Sequence, residues 1–176
     1  MQRYIALLRA INVGGHNVKM EQLRALFAEL GFSNVATFIA SGNVIFEAPE
    51  DAAGALTLRI EAHLRQALGY EVATFLRTTA ELAAVASYAP FPGVAAPSDQ
   101  LYICFYAAAP PPETEAKLQA LRSPDDEFHV YGRELYWLRR AKLSESKIAP
   151  ALLGKAMGPP STMRNATTVR KLAAKH

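Results

Sequence analysis

Residues 35–46 read VATFIASGNVIF, and this stretch decides the fold of the first half of the chain. Two β-rich runs, 35–40 and 44–46, flank Ser41-Gly42-Asn43, whose residue types are typical of a tight turn. The stretch therefore predicts a β-hairpin. Its place matters, because a hairpin between two helices marks the split βαββαβ arrangement.

The segments on either side of the hairpin supply the other elements of that arrangement. Residues 3–8 are an unbroken apolar run, which is typical of a strand covered on both faces. Apolar residues recur at helical spacing over 20–30 and again over 56–68, and a glycine follows each segment. Residues 72–76 predict the fourth strand. The predicted order is β-α-β-β-α-β, which is ferredoxin-like.

The second half of the chain repeats most of this order. A predicted helix at about 79–87 and a proline-rich stretch separate the halves. Residues 101–106 predict a strand, and a helix that contains Leu118 follows three prolines. Gly132-Arg133 fits a two-residue hairpin turn between two further strands.

The end of the second half departs from the pattern. Ser144 can cap a helix that runs to about Leu153, and a last basic helix is predicted from about Thr167. No sixth strand is recognisable. We predict an α+β fold of two ferredoxin-like, βαββαβ-type sandwich halves packed together, with the second half irregular at its end. The predicted domains are residues 1–88 with the extra helix, a connector at 89–99, and residues 100–176 with the basic terminal helix.

Charge is unevenly distributed along the chain. Residues 139–176 contain nine basic residues and one acid, a charge of +8, whereas residues 1–138 sum to −5. The net charge of the whole chain, +3, does not reveal this uneven distribution. Such a distribution can attract an anionic partner, although it does not identify one.

Composition excludes several classes of protein. No apolar run approaches the roughly 20 residues of a membrane span, and the opening run ends at Arg9, so we expect neither a membrane segment nor an export signal. The single cysteine, Cys104, lies in an apolar strand, which indicates a buried core thiol and a cytoplasmic protein. Four scattered histidines form no metal motif, and we expect no cofactor. The acidic run 125–127 is interpreted as solvated.

The loop after the first strand is the first candidate site. Paired glycines, Gly14 and Gly15, lie before a helix and could let backbone N–H groups approach an anion. Arg9 and Asn12 add polar side chains to the same loop. The simpler interpretation is a tight connection between strand and helix, since no P-loop or dinucleotide motif is present.

The predicted hairpin turn is the second candidate site. Ser41 and Asn43 can bond to an anion or merely to the local backbone, and a plain turn is the simpler interpretation. In a ferredoxin-like sheet the second strand runs parallel to the first, so its carboxyl end lies beside the end of the first strand. The turn and the 9–17 loop are therefore predicted to be neighbours.

The basic segment near the end of the chain is the third candidate site. Arg164 offers a planar fork for phosphate or carboxylate, and Asn165 and Thr168 add neutral hydrogen-bonding groups. Alternatively, Asn165 or Thr167 simply caps the last helix. Lys147, next to Ser146, is a further candidate, although the sequence provides no geometry for a dyad.

Several of these segments resemble the DUF1697 family. The resemblance rests on residues 8–15 (LRAINVGG), 18–20 (VKM), Leu23, Thr37, 41–46 (SGNVIF), 146–147 (SK) and 162–172 (TMRNATTVRKL). It implies two ferredoxin-like subdomains and no known activity or catalytic residue. The chain departs from the family pattern at Ala10, Met163, Ala166 and Thr167, where glycine, threonine, tryptophan and asparagine are usual. Because Ala166 and Thr167 stand where tryptophan and asparagine are usual, residues 162–172 are less suited to stack against a ring of a ligand.

Three functions stay open from the sequence. The first is a binding module for an anion, either nucleic acid or a phosphorylated small molecule. The second is an enzyme acting on a small phosphorylated or carboxylated metabolite in a cleft between the halves. Its candidate residues are Arg9, Asn12, Ser41, Asn43, Lys147 and Arg164. The third is an interaction or structural protein without catalysis. The sequence predicts no oligomeric state.

Overall fold

The computed structural model of the chain describes residues 1–40, 42–50, 53–93, 100–140, 145 and 147–176. Within them it contains six α-helices and eight β-strands. The chain divides into two compact units, which we call the N-terminal unit (1–83 with 172–176) and the C-terminal unit (84–171). One boundary between the units lies inside the third helix, and the other lies inside the last helix.

The N-terminal unit has the predicted β-α-β-β-α-β order. Its elements are β1 (Gln2–Leu8), α1 (Met20–Glu29), β2 (Ser33–Thr37), β3 (Asn43–Ala48), α2 (Ala53–Leu68) and β4 (Thr74–Thr78). The sheet order is β2-β3-β1-β4. Every neighbouring pair is antiparallel, which makes β1 and β2 parallel to each other. Helix α3 (Thr79–Ser87) follows at its predicted position.

The apolar run of β1 is buried on both of its faces. Tyr4, Ala6 and Leu8 belong to the core between the sheet and its helices. Ile5 and Leu7 point to the other face, because side chains alternate along a strand, and they are 1% and 0% exposed. The prediction of a strand covered on both faces is confirmed.

The hairpin is wider than its sequence pattern indicates. β2 ends at Thr37, and Asn43 is already the first residue of β3, paired with Leu7 of β1. The loop is closed by a hydrogen bond from Phe38 N to Asn43 O at 3.0 Å, and Ile39 adopts a φ of 50°. The reversal is therefore spread over the loop rather than confined to 41–43. Ser41 lies outside the described residues.

The C-terminal unit has the same topology as the first. Its elements are β5 (Gln100–Tyr106), α4 (Pro112–Gln119), β6 (Asp126–Tyr131), β7 (Glu134–Arg139), α5 (Pro150–Ala156), β8 (Ser161–Asn165) and α6 (Ala166–Lys175). The sheet order β6-β7-β5-β8 repeats β2-β3-β1-β4 element by element. The predicted α+β fold with two ferredoxin-like halves is confirmed.

The expectation of an irregular end to the second half was wrong. Strand β8 is the sixth element of the pattern and pairs antiparallel with β5. Its sequence, STMRN, is polar because β8 is an edge strand with alternating burial. Thr162 and Arg164 are buried, while Met163 is 39% exposed. An edge strand of this kind lacks the apolar pattern that identifies a central strand.

Helix α5 also begins later than predicted. Its first residue is Pro150, and the preceding Ala149 is extended, with φ −61° and ψ 131°. A residue before proline avoids the helical region, and proline fits the first turn of a helix, so the start is set there. Ser144, the predicted cap, lies outside the described residues.

The C-terminal unit has its own apolar core, which contains Cys104, Tyr106, Leu118 and Trp137. Cys104 is fully buried, and burial raises the pKa of its thiol to about 12. The prediction of a core thiol is confirmed. Across the described residues, no helix is both long and apolar enough to cross a membrane.

Candidate functional site

The 9–17 loop and the hairpin loop are neighbours, as predicted. Leu8 N donates to Gly42 O at 2.8 Å, and Asn12 Nδ2 donates to Ala40 O at 3.2 Å. The other end of the Asn12 amide accepts a hydrogen bond from Val18 N at 2.7 Å. Asn12 therefore holds the two loops in place through both of its amide atoms.

Asn43 and Gly42 also have local structural roles. Asn43 is fully buried, and its Nδ2 donates to Phe38 O at 3.1 Å. Gly42 has a φ of 75°, and a Cβ at this position would lie 3.2 Å from both the Cβ and the carbonyl oxygen of Leu8. Only glycine combines this conformation with so close an approach. The contact between the loops explains Gly42 and Asn43 of this pattern without a ligand.

Arg9, Gly14 and Gly15 face solvent. Gly14 and Gly15 have φ values of 62° and 86°, and a Cβ on either would meet no described atom within 4 Å. The Arg9 backbone N–H is bonded to Ala73 O at 2.9 Å, while its side chain is exposed. These three residues stay candidate anion contacts.

The basic residues of the last segment differ in their exposure and in their partners. Arg139 and Arg164 are buried, at 1% and 8% exposure. Arg140 Nη2 bonds to the carboxylate of Glu127 at 2.7 Å. The other described basic residues of the segment are exposed: Lys147, Lys155, Arg170, Lys171 and Lys175. Lys142 lies outside the described residues.

Arg164 and Asn165 make hydrogen bonds within β8 and to the start of α6. Arg164 Nη1 donates to Thr162 Oγ1 at 2.8 Å and to Met163 O at 2.9 Å. Burial lowers the pKa of Arg164 to about 10, because the charged guanidinium loses hydration. Asn165 Oδ1 accepts from Thr167 N at 2.8 Å and so caps α6, which confirms the simpler interpretation of this residue. Thr168 is half-buried on the same helix.

A cavity of about 560 Å³ lies within the C-terminal unit. It is bounded by the end of α4, the start of β6, the end of β7 and the start of α5. We call it the C-terminal cavity; its described lining is residues 120–121, 123–126, 139, 145, 147–148 and 152. Of the predicted candidates, Lys147 is in this lining, whereas Arg164, Asn165 and Thr168 are not.

Arg139 is the most unusual group of the cavity. It is 1% exposed, yet within the part of the chain that the structure describes, its Nε and Nη1 atoms have no hydrogen-bond partner. Its guanidinium carbon lies 5.4 Å from the centroid of the Trp137 ring. Buried guanidinium nitrogens are normally bonded, because an unmade bond costs their full hydration. Arg139 is therefore suited to contact a ligand.

Asp126 is the acidic neighbour of Arg139. It is 2% exposed, and its Oδ1 accepts a hydrogen bond from Trp137 Nε1 at 2.9 Å. The same oxygen lies 3.8 Å from Arg139 Nε, which allows charge attraction but no hydrogen bond. The expectation that the 125–127 acids are all solvated was wrong for Asp126. Its place opposite Arg139 in the β6–β7 hairpin brings it into the interior.

The cavity lining carries charges of both signs. Arg139 and Lys147 are basic, and Asp125, Asp126 and Glu145 are acidic, so the described lining sums to −1. Leu121, Ile148 and Leu152 provide an apolar side. Among the described residues there is no cluster of three or more His, Cys, Asp or Glu side chains that could hold a metal ion.

Sequence comparison assigns the chain to a family. The family model described as "Protein of unknown function (DUF1697)" matches residues 1–136. The chain belongs to the DUF1697 family. No curated protein matches this DUF1697 chain.

A solved structure shares the DUF1697 fold seen here. It is the structure of the conserved bacterial protein SP0830 from Streptococcus pneumoniae, with a TM-score of 0.78 and 25% sequence identity. The alignment covers 98% of this chain and 97% of that one. The similarity extends over both units, including β8, which lies beyond the residues matched by the family model.

Proposed function

We propose that this DUF1697 protein binds a small anionic ligand in the C-terminal cavity, with Arg139 as the main anion contact. The supporting observation is the pair of buried guanidinium nitrogens, Nε and Nη1, that have no partner among the described residues. An arginine presents its donors as a planar fork that matches a carboxylate or a phosphate. Nε and Nη1 lie on different edges of this fork, so one bound anion would supply the missing acceptor of one of them.

The cavity favours a small ligand over nucleic acid. A volume of about 560 Å³ is within the ordinary range for small-molecule sites, roughly 300–1,000 Å³. Its lining has a net negative charge, which disfavours the repeated phosphates of a polymer.

The sheet of the C-terminal unit also argues against base stacking. RNA-binding modules of ferredoxin-like topology stack bases on aromatic residues of an exposed sheet face. The face of this sheet opposite the C-terminal core carries Ile103, Phe105, Tyr136 and Leu138, which are all buried. At these positions the rings are inaccessible to a base.

The experiment compares two variants that differ only at Arg139. Asp126→Asn removes the neighbouring charge and keeps an oxygen that can accept from Trp137, so this variant should bind anions at least as well as the natural protein. Asp126→Asn with Arg139→Met removes the guanidinium as well. Melting temperature is measured while acetate, 4-methylpentanoate or inorganic phosphate is titrated to millimolar concentration, against sodium chloride of equal ionic strength.

We expect at least one of the three anions to raise the melting temperature saturably in the natural protein and in the Asp126→Asn variant. The double variant should show no such rise, because binding to the folded state stabilises it only while the contact exists. If all three anions behave like sodium chloride in the natural protein, the proposal fails. It fails equally if the folded double variant retains the response.

A cytoplasmic location is part of the proposal and is supported by the single, buried Cys104. An enzymatic site built from Arg9, Asn12, Ser41, Asn43, Lys147 and Arg164 stays a prediction. The local hydrogen bonds of Asn12 and Asn43 weaken it, since those amides already have backbone partners.

A further inference from the structure

We propose that the ligand of the C-terminal cavity is an apolar α-amino acid bound as a zwitterion. Its carboxylate contacts Arg139, its ammonium group faces Asp125 and Glu145, and its side chain covers the apolar side of the cavity. This inference rests on the proposed anion binding and adds the identity of the ligand class.

The charge balance selects a zwitterion over a phosphate. Within the described lining, Asp126 offsets part of the Arg139 charge, and Asp125 and Glu145 add two further carboxylates. A phosphate monoester carries about −1.5 to −2 at neutral pH, so it would meet a lining that is already negative. A ligand with one carboxylate and one ammonium group adds no net charge and can satisfy both signs.

Asp125 and Glu145 are suited to the ammonium group. The hydrogen bonds of Asp125 are made by its backbone. Its N–H donates to Ser123 Oγ at 3.2 Å, and its carbonyl oxygen accepts from Arg140 N at 2.8 Å. Among the described residues, its carboxylate and that of Glu145 make no hydrogen bond or ion pair. Both line the cavity. An ammonium group has three donors, so two carboxylates suit it well.

The remaining side of the cavity is apolar. Leu121, Ile148 and Leu152 line it, and Leu152 is 51% exposed, one of the more exposed large apolar side chains of the chain. Covering such a surface with an aliphatic side chain is favourable by about 25 cal/mol for each Å² removed from water. A carboxylate, an ammonium group and an aliphatic side chain are together found in an apolar amino acid such as leucine.

The test uses L-leucine and two compounds that each lack one of its charged groups. 4-Methylpentanoate lacks the ammonium group, and 3-methylbutylamine lacks the carboxylate; inorganic phosphate is the fourth probe. Affinities are measured by calorimetric titration of the unmodified chain. We expect leucine to bind at least tenfold more tightly than either truncated compound, and phosphate to bind more weakly than leucine.

A charge variant tests the ammonium contact directly. Asp125→Asn keeps the shape of the side chain and the backbone hydrogen bonds. The substitution should weaken the binding of leucine several-fold without weakening that of 4-methylpentanoate. The ratio of the leucine affinity to the 4-methylpentanoate affinity therefore falls. Glu113→Gln, an exposed acid on α4 outside the described lining, is the matched control and should leave the ratio unchanged.

The outcomes separate this inference from the proposed function. If 4-methylpentanoate or phosphate binds as tightly as leucine, anion binding stands and the zwitterion assignment is overturned. The assignment is also overturned if Asp125→Asn and Glu113→Gln affect leucine equally. If no probe binds, both proposals fail.

Discussion

At the scale of single residues, Arg139 and Asp126 form a buried pair of opposite charges in the C-terminal unit. Both are almost fully buried, and the distance of 3.8 Å between Nε and Oδ1 leaves them without a mutual hydrogen bond. A buried ion pair with imperfect geometry does little for stability, because the loss of hydration offsets the attraction. Removing one partner nevertheless leaves a bare charge in the interior.

A mutant cycle should therefore show strong coupling. Arg139→Met alone is expected to lower the free energy of unfolding by about 3 kcal/mol, because Asp126 becomes an uncompensated buried charge. Adding Asp126→Asn should recover most of this loss, since the asparagine oxygen still accepts from Trp137. Urea denaturation of the two single variants and the double variant measures the coupling. Additive effects would show that the two charges do not compensate each other.

At the scale of elements, a cluster of side chains links the three strands β2, β3 and β1. Glu47 Oε1 accepts from Arg3 Nη2 at 2.7 Å, and its Oε2 accepts from Asn34 Nδ2 at 2.7 Å. The hydrogen bond from Asn34 and that from Arg3 lower the pKa of Glu47 below its ordinary value of 4.5. The ionised carboxylate is thus the form that the folded sheet prefers.

This shift predicts a pH dependence with a definite sign. A carboxyl whose pKa is lower in the folded state contributes stability that is present above its unfolded pKa and is lost as pH falls through the folded pKa. Glu47→Gln should therefore make the loss of stability on acidification below pH 4.5 less steep, and Asn34→Ala should do so in part. Urea midpoints measured from neutral to acid pH check this. An acid limb unchanged in Glu47→Gln would contradict it.

The β6–β7 hairpin also shows how much of the C-terminal cavity could be predicted from the sequence. The two-residue turn at Gly132-Arg133 fixes the register of the β6–β7 hairpin, and that register sets Asp126 opposite Arg139. The pairing was thus implicit in the predicted turn. The sequence did not indicate that both charges are buried. A charged residue at the end of a strand looks the same in the sequence whether it faces solvent or a cavity, because the alternation of polar and apolar residues is the same in both cases.

At the scale of the whole molecule, the two units have the same strand order but are not separate segments of chain. Helix α6 begins in the C-terminal unit, and residues 172–176 belong to the N-terminal unit. In this last segment, Lys175 Nζ lies 5.6 Å from the centroid of the Phe38 ring, and Leu172 is 1% exposed. The last turns of the chain therefore contribute to the packing of its first half.

Leu172→Ala tests this contribution. We expect the free energy of unfolding to fall by about 2–5 kcal/mol, as for other fully buried leucines, because the truncation leaves a cavity. The neighbouring Lys171→Ala, at an exposed position, is the control and should change stability by no more than about 0.5 kcal/mol. Urea denaturation compares the two. Similar small effects would mean that the terminal segment is not part of the packed core.

The sequence by itself determined the order of helices and strands through β7, the carboxyl ends of α1 and α2 and the apolar faces of these two helices. These features depend on local periodicity and on glycine and proline, whose effects act over a few residues. Strand β8, the burial of Arg139 and Asp126 and the C-terminal cavity were decided only by the tertiary structure. An edge strand and a buried charge acquire their environment from segments distant in sequence, so neither leaves a periodic pattern in its own residues.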